Sequence, residues 1–300
     1  MEISTCMLNI KGLAKSYGSK NVLKDFSMSF DKGHVYGLLG KNGAGKTTLI
    51  RIIMGIIPPD AGCILFDGFP VDLNRPAYRQ KIGYIPEDPF FYRDMKVREL
   101  LYLNSCFFKK WNRNKAANLC RAFGLVEETR IRNMSRGMKL KLGFVVALAQ
   151  DLELLILDDP TSGLDVCTRR DVLVDLIREI SDSGTTVLFA SHQIHELEGL
   201  IDHVFVLHNG NILIDESYSL LKESMRRVTL TFDSPPKFSR LFEGQLTSII
   251  RDREVEFICK DLDERKVKEL KNLQPRHMDV QALSLEEMFL AWVEEAPGRE

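Results

Sequence analysis

The sequence predicts an α/β protein built on a mostly parallel sheet, followed by a small α+β appendage over 228–300. Three observations predict this. A glycine-rich octet at 40–47 stands between an apolar run at 35–39 and a stretch of helical periodicity carried by Leu49, Ile52, Ile53 and Ile56. Two more short apolar runs, 154–157 and 185–190, are separated by a helical pattern over 169–180, the alternation expected of strands buried on both faces. The composition then shifts after Asp215, where a polar helical stretch leads into strand-like segments with turns between them.

Taken in order, 7–10 and 22–30 read as strands, and Asp31-Lys32-Gly33 turns the chain into the run at 35–39. Residues 58–62 (PPDAG) form a turn, 63–67 a strand, and 82–85 a short strand stopped by Pro86. The segment 97–125 is helical, with Leu100, Leu101, Leu103, Phe107, Phe108, Ala116, Leu119, Cys120 and Phe123 as its apolar positions. Its basic group Lys109, Lys110, Arg113 and Lys115 reads as a solvated face. A further helix covers 138–149, and a short one is expected at 195–200. Segments 204–207 and 212–214 flank an Asn-Gly hairpin turn. Residues 216–227 read as a linker after a first domain over 1–215. Beyond it come strands at 228–232 and 255–259, a turn at Ser234-Pro235-Pro236, and helices near 264–273 and 285–293.

Composition bounds the function. The chain has 300 residues, with 44% hydrophobic and 28% charged, ordinary for a water-soluble globular protein. A net charge of −1 gives no global electrostatic reason to bind nucleic acid or an anionic membrane. No apolar stretch approaches the ~20 residues needed to span a bilayer, and the opening MEISTCMLNIKG lacks the regions of a secretory signal. The six cysteines are scattered without a CxxC pair, which argues for reduced thiols rather than a disulfide or zinc framework.

The octet carries the chemistry. Gly40, Gly43 and Gly45 let the backbone bend so that the N–H groups around Lys41, Asn42 and Ala44 turn inward as a nest for phosphate oxygens. The helix starting near Lys46 adds its positive dipole end. Lys46 then reaches the β- and γ-phosphates, and Thr47, followed by Thr48, places a hydroxyl for Mg²⁺. Asp158, at the carboxyl end of the run 154–157, completes a magnesium site through water. Ser135 and the backbone of Gly137 stand at a helix start, where they can hydrogen-bond a phosphate. His192 closes the strand 185–190 within reach of a γ-phosphate, and Tyr17, in a turn upstream, offers an aromatic face for an adenine ring. His192 and His195 stand at i, i+3, but without a third ligand they make no metal pair.

This set resembles the ATP-binding cassette (ABC) ATPases over about 3–215, with the motifs in the family's order: GKNGAGKT at 40–47, GYIPED around Glu87, MSRGM at 134–138, LLILDD at 154–159, SGLD at 162–165 and His192. The close SLEEMFLAWV at 284–293 looks like the tail of the drug- and antibiotic-exporter subgroup. The resemblance implies a P-loop NTPase fold with a RecA-like core, an antiparallel β subdomain and a helical subdomain at about 88–145. It implies that Tyr17 stacks on adenine, that Glu87 serves Mg²⁺ or the attacking water, and that Asp159 polarises that water. It further implies a head-to-tail dimer with a second ABC ATPase subunit, in which Ser135 and Gly137 meet the ATP of the opposite protomer. Separate membrane-spanning subunits would dock near 88–145, which places the chain on the cytoplasmic face of a membrane.

Three positions depart from the family pattern. Asp159 stands where a glutamate is usual, which withdraws the carboxylate by roughly 1.5 Å, and a misplacement of about 1 Å can cost ~10²-fold in rate. Arg136 and Met138 alter the signature, and Glu87 replaces a glutamine. The expected function is therefore the ATP-hydrolysing subunit of an ABC exporter, with turnover slowed by Asp159. The alternative is a nucleotide switch that regulates a partner with little turnover.

Overall fold

The computed structural model describes residues 6–73, 75–181, 184–234 and 245–295. They fall into two compact units, Met1–Gln193 with Leu207–Ile212, and Ile194–Val206 with Leu213–Glu300.

The first unit opens with a long hairpin, β1 (Cys6–Tyr17) and β2 (Lys20–Asp31). Phe26, Met28 and Phe30 point into the core while the serines between them face out, the period of a half-buried strand. Both strands run further than 7–10 and 22–30. Register shifts, one across Ile10 and Leu13 where Gly12 takes φ 59°, break the alternation without ending the pairing. Tyr17 is consequently the last residue of a strand, at the hairpin, and not part of an isolated turn.

Next come β3 (Val35–Leu39) and α1 (Lys46–Ile53), whose Leu49, Ile50, Ile52 and Ile53 are buried. Gly55, at φ 64°, ends the helical path, so Ile56 lies beyond α1 and is 58% exposed. The strands β4 (Ala61–Phe66) and β5 (Phe69–Pro70) complete a four-stranded antiparallel sheet in the order β2-β1-β4-β5. The one-turn helix α2 (Pro76–Arg79) and β6 (Ile82–Ile85) follow.

The stretch 97–125 is two helices and not one, α3 (Val97–Phe107) and α4 (Arg113–Ala122). Asn112 separates them by capping α4, its side chain accepting from the Lys115 N–H at 2.9 Å. Lys109, Lys110 and Arg113 are exposed there, as a solvated face requires. A 3₁₀ turn at Ile131–Asn133 leads into α5 (Arg136–Leu148), capped by Ser135. Then come β7 (Leu154–Asp158), α6 (Val166–Ser181) and β8 (Thr186–Ala190).

The hairpin β9 (His203–His208) and β10 (Asn211–Ser217) turns at Asn209-Gly210, both with positive φ, which that residue pair allows. The central sheet has the order β10-β9-β3-β8-β7-β6, and the pairs β3/β8, β8/β7 and β7/β6 are parallel. Leu38, Leu39, residues 154–157 and 187–190 are almost wholly buried, as continuous apolar runs in a covered parallel sheet should be.

In the second unit, the helix expected at 195–200 is a 3₁₀ turn at Ile194–Glu196. Gly199, at φ 82°, stops any continuation. Helix α7 (Tyr218–Ser224), capped by Ser217, and the first residues of β11 (Met225–Thr231) occupy the stretch read as a linker. The unit continues with β12 (Gln245–Arg251), β13 (Glu254–Lys260), α8 (Glu264–Asn272), β14 (His277–Ala282) and α9 (Leu285–Glu295). Its sheet has the order β12-β13-β11-β14, so α8 carries the chain from β13 across β11 to β14 as a split βαβ. Val228, Leu230, Val255, Phe257, Cys259 and Leu270 form its core. The prolines of the Ser234-Pro235-Pro236 turn lie outside the described residues.

Candidate functional site

The octet is shaped as its glycines dictate. Gly43 (φ 81°) and Gly45 (φ 115°) take conformations that side chains resist, and a Cβ on Gly40 would sit 2.6 Å from the Leu207 carbonyl. Gly45 is the N-cap of α1 and no side chain caps that helix, so its first N–H groups face the loop. Lys46 is buried, and its Nζ donates to the carbonyls of Gly40 and Lys41. Burial lowers its pKa, against the opposing pull of Asp159 and Asp158.

The parallel sheet brings the acidic pair to the same end as this loop. Asp158 lies level with Ala190 across the β7/β8 ladder. Asp159 therefore falls beside the residues just after β8. Its backbone N–H donates to the Ala190 carbonyl at 2.8 Å, and its Oδ1 accepts from the His192 N–H at 2.8 Å. The same oxygen lies 2.7 Å from His192 Nδ1. Asp159 has φ 47°, a left-handed conformation that aspartate tolerates, and this turns the carboxylate toward the histidine. Asp158 is pushed up in pKa by burial and then by the neighbouring Asp159.

A cleft of about 650 Å³ joins these groups. Its lining includes Tyr17, Lys41, Asn42, Gly43, Ala44, Gly45, Lys46, Thr47, Thr48, Glu87, Asp158 and Asp159, eleven residues of two distant strand ends and one loop brought together with Tyr17 from the hairpin. Gly40 and His192 border the loop and the acidic pair without lining the cleft, and Ser135 and Gly137 stand apart from it. Ser135 Oγ accepts from the Met138 N–H at 3.2 Å, so the hydroxyl caps α5. Tyr17 is half exposed, with Lys15 Nζ 5.8 Å from its ring centroid.

The lining also holds Lys20, Val22, Arg51 and Tyr84, which the motifs do not single out. Tyr84 has the clearest role. Its hydroxyl donates to Asp158 Oδ2 at 3.3 Å, and burial, then Asp158, pushes its pKa up to about 12. Tyr84 lies in the GYIPED stretch, but its contact is set by the β6/β7 register, in which it pairs with Ile156, two residues short of Asp158.

The ABC transporter family profile matches residues 23–162. The chain is 30% identical over 287 residues to the ABC transporter ATP-binding protein YtrB of Bacillus subtilis (strain 168), covering 95% of this chain and 97% of that protein. The chain belongs to the ABC transporter family. It is also 35% identical to the bacitracin transport ATP-binding protein BcrA of Bacillus licheniformis, over 72% of this chain and 71% of that one. A solved structure described as the ATP binding subunit of an ABC transporter is similar, with TM-score 0.65 and 29% identity over 72% of this chain and 92% of that chain. The protein is thus an ATP-binding, ATP-hydrolysing ABC transporter subunit with the P-loop NTPase fold. Among its described residues, no helix is long and apolar enough to cross a membrane.

Proposed function

We propose that this ABC ATPase holds the triphosphate of ATP on the nest at 40–47 and drives separate membrane-spanning subunits of an exporter. The single observation that carries the site assignment is the convergence of Lys46, Thr47, Asp158 and Asp159 on one cleft. Lys46 supplies a fixed positive charge to the β- and γ-phosphates, and Tyr17 stacks against the adenine. His192 orients the Asp159 carboxylate through the contact on Oδ1, and Asp159 takes up a proton from the attacking water.

The donor chemistry fits Mg²⁺. Thr47, Asp158 and Glu87 offer hydroxyl and carboxylate oxygens to one cleft, the donor set a hard cation takes. Among the described residues there is no cluster of three His, Cys, Asp or Glu suited to a metal. When bound, Mg²⁺ would neutralise charge developing on the phosphates.

Ser135 and Gly137 lie outside the cleft of their own chain, which supports a role toward the ATP of a second ABC ATPase subunit, either a copy of this chain or a homologue. The exporter reading is supported by similarity to the bacitracin, linearmycin and lantibiotic transport or resistance proteins. It puts the chain on the cytoplasmic face of the membrane, with its partners docking near 88–145. The second reading, a nucleotide switch with little turnover, is favoured by the short Asp159 side chain where the family has a glutamate.

Two experiments test the proposal. Asp158→Asn should keep nucleotide binding without magnesium and lose the gain in affinity that magnesium confers, while turnover falls ~10²-fold or more. An unchanged magnesium effect would refute the metal assignment. Isolation from native membranes should bring a stoichiometric multi-span partner, and its absence would favour the switch.

A further inference from the structure

Helix α5 begins at Arg136, and what this side chain touches is not explained by ATP binding. Its Nη2 donates to the backbone carbonyl of Glu87 at 3.1 Å. The same guanidinium lies against Gly163: a Cβ built there would stand 2.3 Å from Nη1 and 3.0 Å from Cζ. Gly163 has φ 70°, which disfavours any side chain, and a Cβ there would displace the guanidinium. The next residue of α5, Gly137, is pressed onto α6, where a Cβ would stand 2.6 Å from Thr168 Cγ2. One turn on, Lys141 pairs with Asp175 at 2.7 Å, both largely buried. The start of α5 is therefore seated on the start of α6, and Arg136 extends that seat to the loop after β6.

We infer that Arg136 is a positioning residue that clips the 134–138 signature, the 162–165 loop and the Glu87 loop into one body. The inference rests on the roles proposed above for Glu87 and for Ser135 with Gly137. Glu87 serves the ATP of its own chain, and the signature serves the ATP opposite. A rigid clip between them makes a shift of the Glu87 loop move the signature, so each nucleotide reports on the other. The acceptor is a backbone carbonyl, so the clip depends on the reach and fork of the guanidinium more than on charge pairing. Being exposed, it can be made and broken without unfolding a core.

The test is a double-mutant cycle on the full chain, Arg136→Ala and Gly163→Ala singly and together. It reads kcat and KM for Mg-ATP, and backbone hydrogen exchange over 84–90 in the nucleotide-free protein. Arg136→Ala should raise exchange over 84–90 by about fivefold or more. It should also lower kcat about tenfold while KM stays within about twofold. Gly163→Ala should do the same, because its Cβ evicts the guanidinium. The strain of alanine at that φ is common to both backgrounds and cancels, so a coupling of at least about fivefold in kcat is expected. Smaller coupling, or unchanged exchange over 84–90 in Arg136→Ala, overturns the clip. The exchange arm needs no turnover, so it stands even if the ATP-site reading fails, and Lys46→Ala tests that reading separately.

Discussion

The two units of this chain are built from similar local parts and differ in what they leave exposed at one place. In the first, strand ends, a glycine turn and an uncapped helix start bring backbone N–H groups, a buried lysine and two carboxylates to one cleft. In the second, the helix starts are closed by their own side chains. Asp263 accepts from the Lys266 N–H at 2.8 Å, and Ser284 and Glu287 form a reciprocal box at the start of α9. Its sheet packs a core cluster of Val228, Leu230, Val255, Phe257 and Cys259. At α1 the absence of a side-chain cap leaves the first N–H groups free for a phosphate, whereas Asp263 and Ser284 use up those donors at α8 and α9.

The largest expected effect belongs to the loop. Lys46→Ala should cut turnover by ~10³-fold or more, since it removes charge aimed at the transferred phosphoryl group. It should move Tm by only a few degrees, about 2–4 °C per kcal/mol in a domain of this size. Calorimetry beside a nucleotide-binding titration checks both, and equal affinity in parent and variant would break the contrast. Next is Phe257→Ala, at a side chain 1% exposed. It should cost the second unit ~3–5 kcal/mol and leave ATP affinity within about twofold, because no residue of that core lines the cleft. A matching loss of nucleotide binding would mean that the two units are not separable in this way.

How much of this was legible follows from the same contrast. The octet, Asp158 and Asp159 could be read because their chemistry is local: glycines at fixed spacing and carboxylates ending an apolar run. Contacts across the sheet could not. That His192 Nδ1 meets Asp159 Oδ1, and that Tyr84 reaches Asp158, depends on which strands neighbour each other. In the second unit, 255–259 was visible as a strand because it is buried on a face. The edge strands β12 and β14 were not, because their exposure follows no alternation. The break at Asn112 was hidden by the apolar residues on both sides of it, and the turn at 194–196 by one glycine beyond it.

Two smaller effects sharpen the comparison. Asp159→Glu should raise turnover up to about tenfold, by restoring the reach of the carboxylate within a site tuned to about 1 Å. A steady-state assay giving equal rates would mean that the contact with His192 already sets the geometry. The smallest effect is electrostatic. At Glu287, burial favours the neutral form, but the Ser284 N–H and hydroxyl and the Arg227 guanidinium outweigh it and hold the carboxyl below its usual range. A group depressed in this way adds stability above its unfolded pKa of about 4.3, and that stability is lost as pH falls through the lower folded value. Glu287→Gln should therefore cost under about 1 kcal/mol at pH 7, given partial exposure. In denaturant titrations the gap should close below about pH 4. A gap that persists in acid would assign the effect to packing.

The most direct measurement of the central claim is steady-state Mg-ATP turnover of the full chain beside His192→Ala. The parent should turn over clearly and the variant should lose ~10²-fold, because the imidazole holds the carboxylate that works on water. Equal turnover in the two proteins would contradict it.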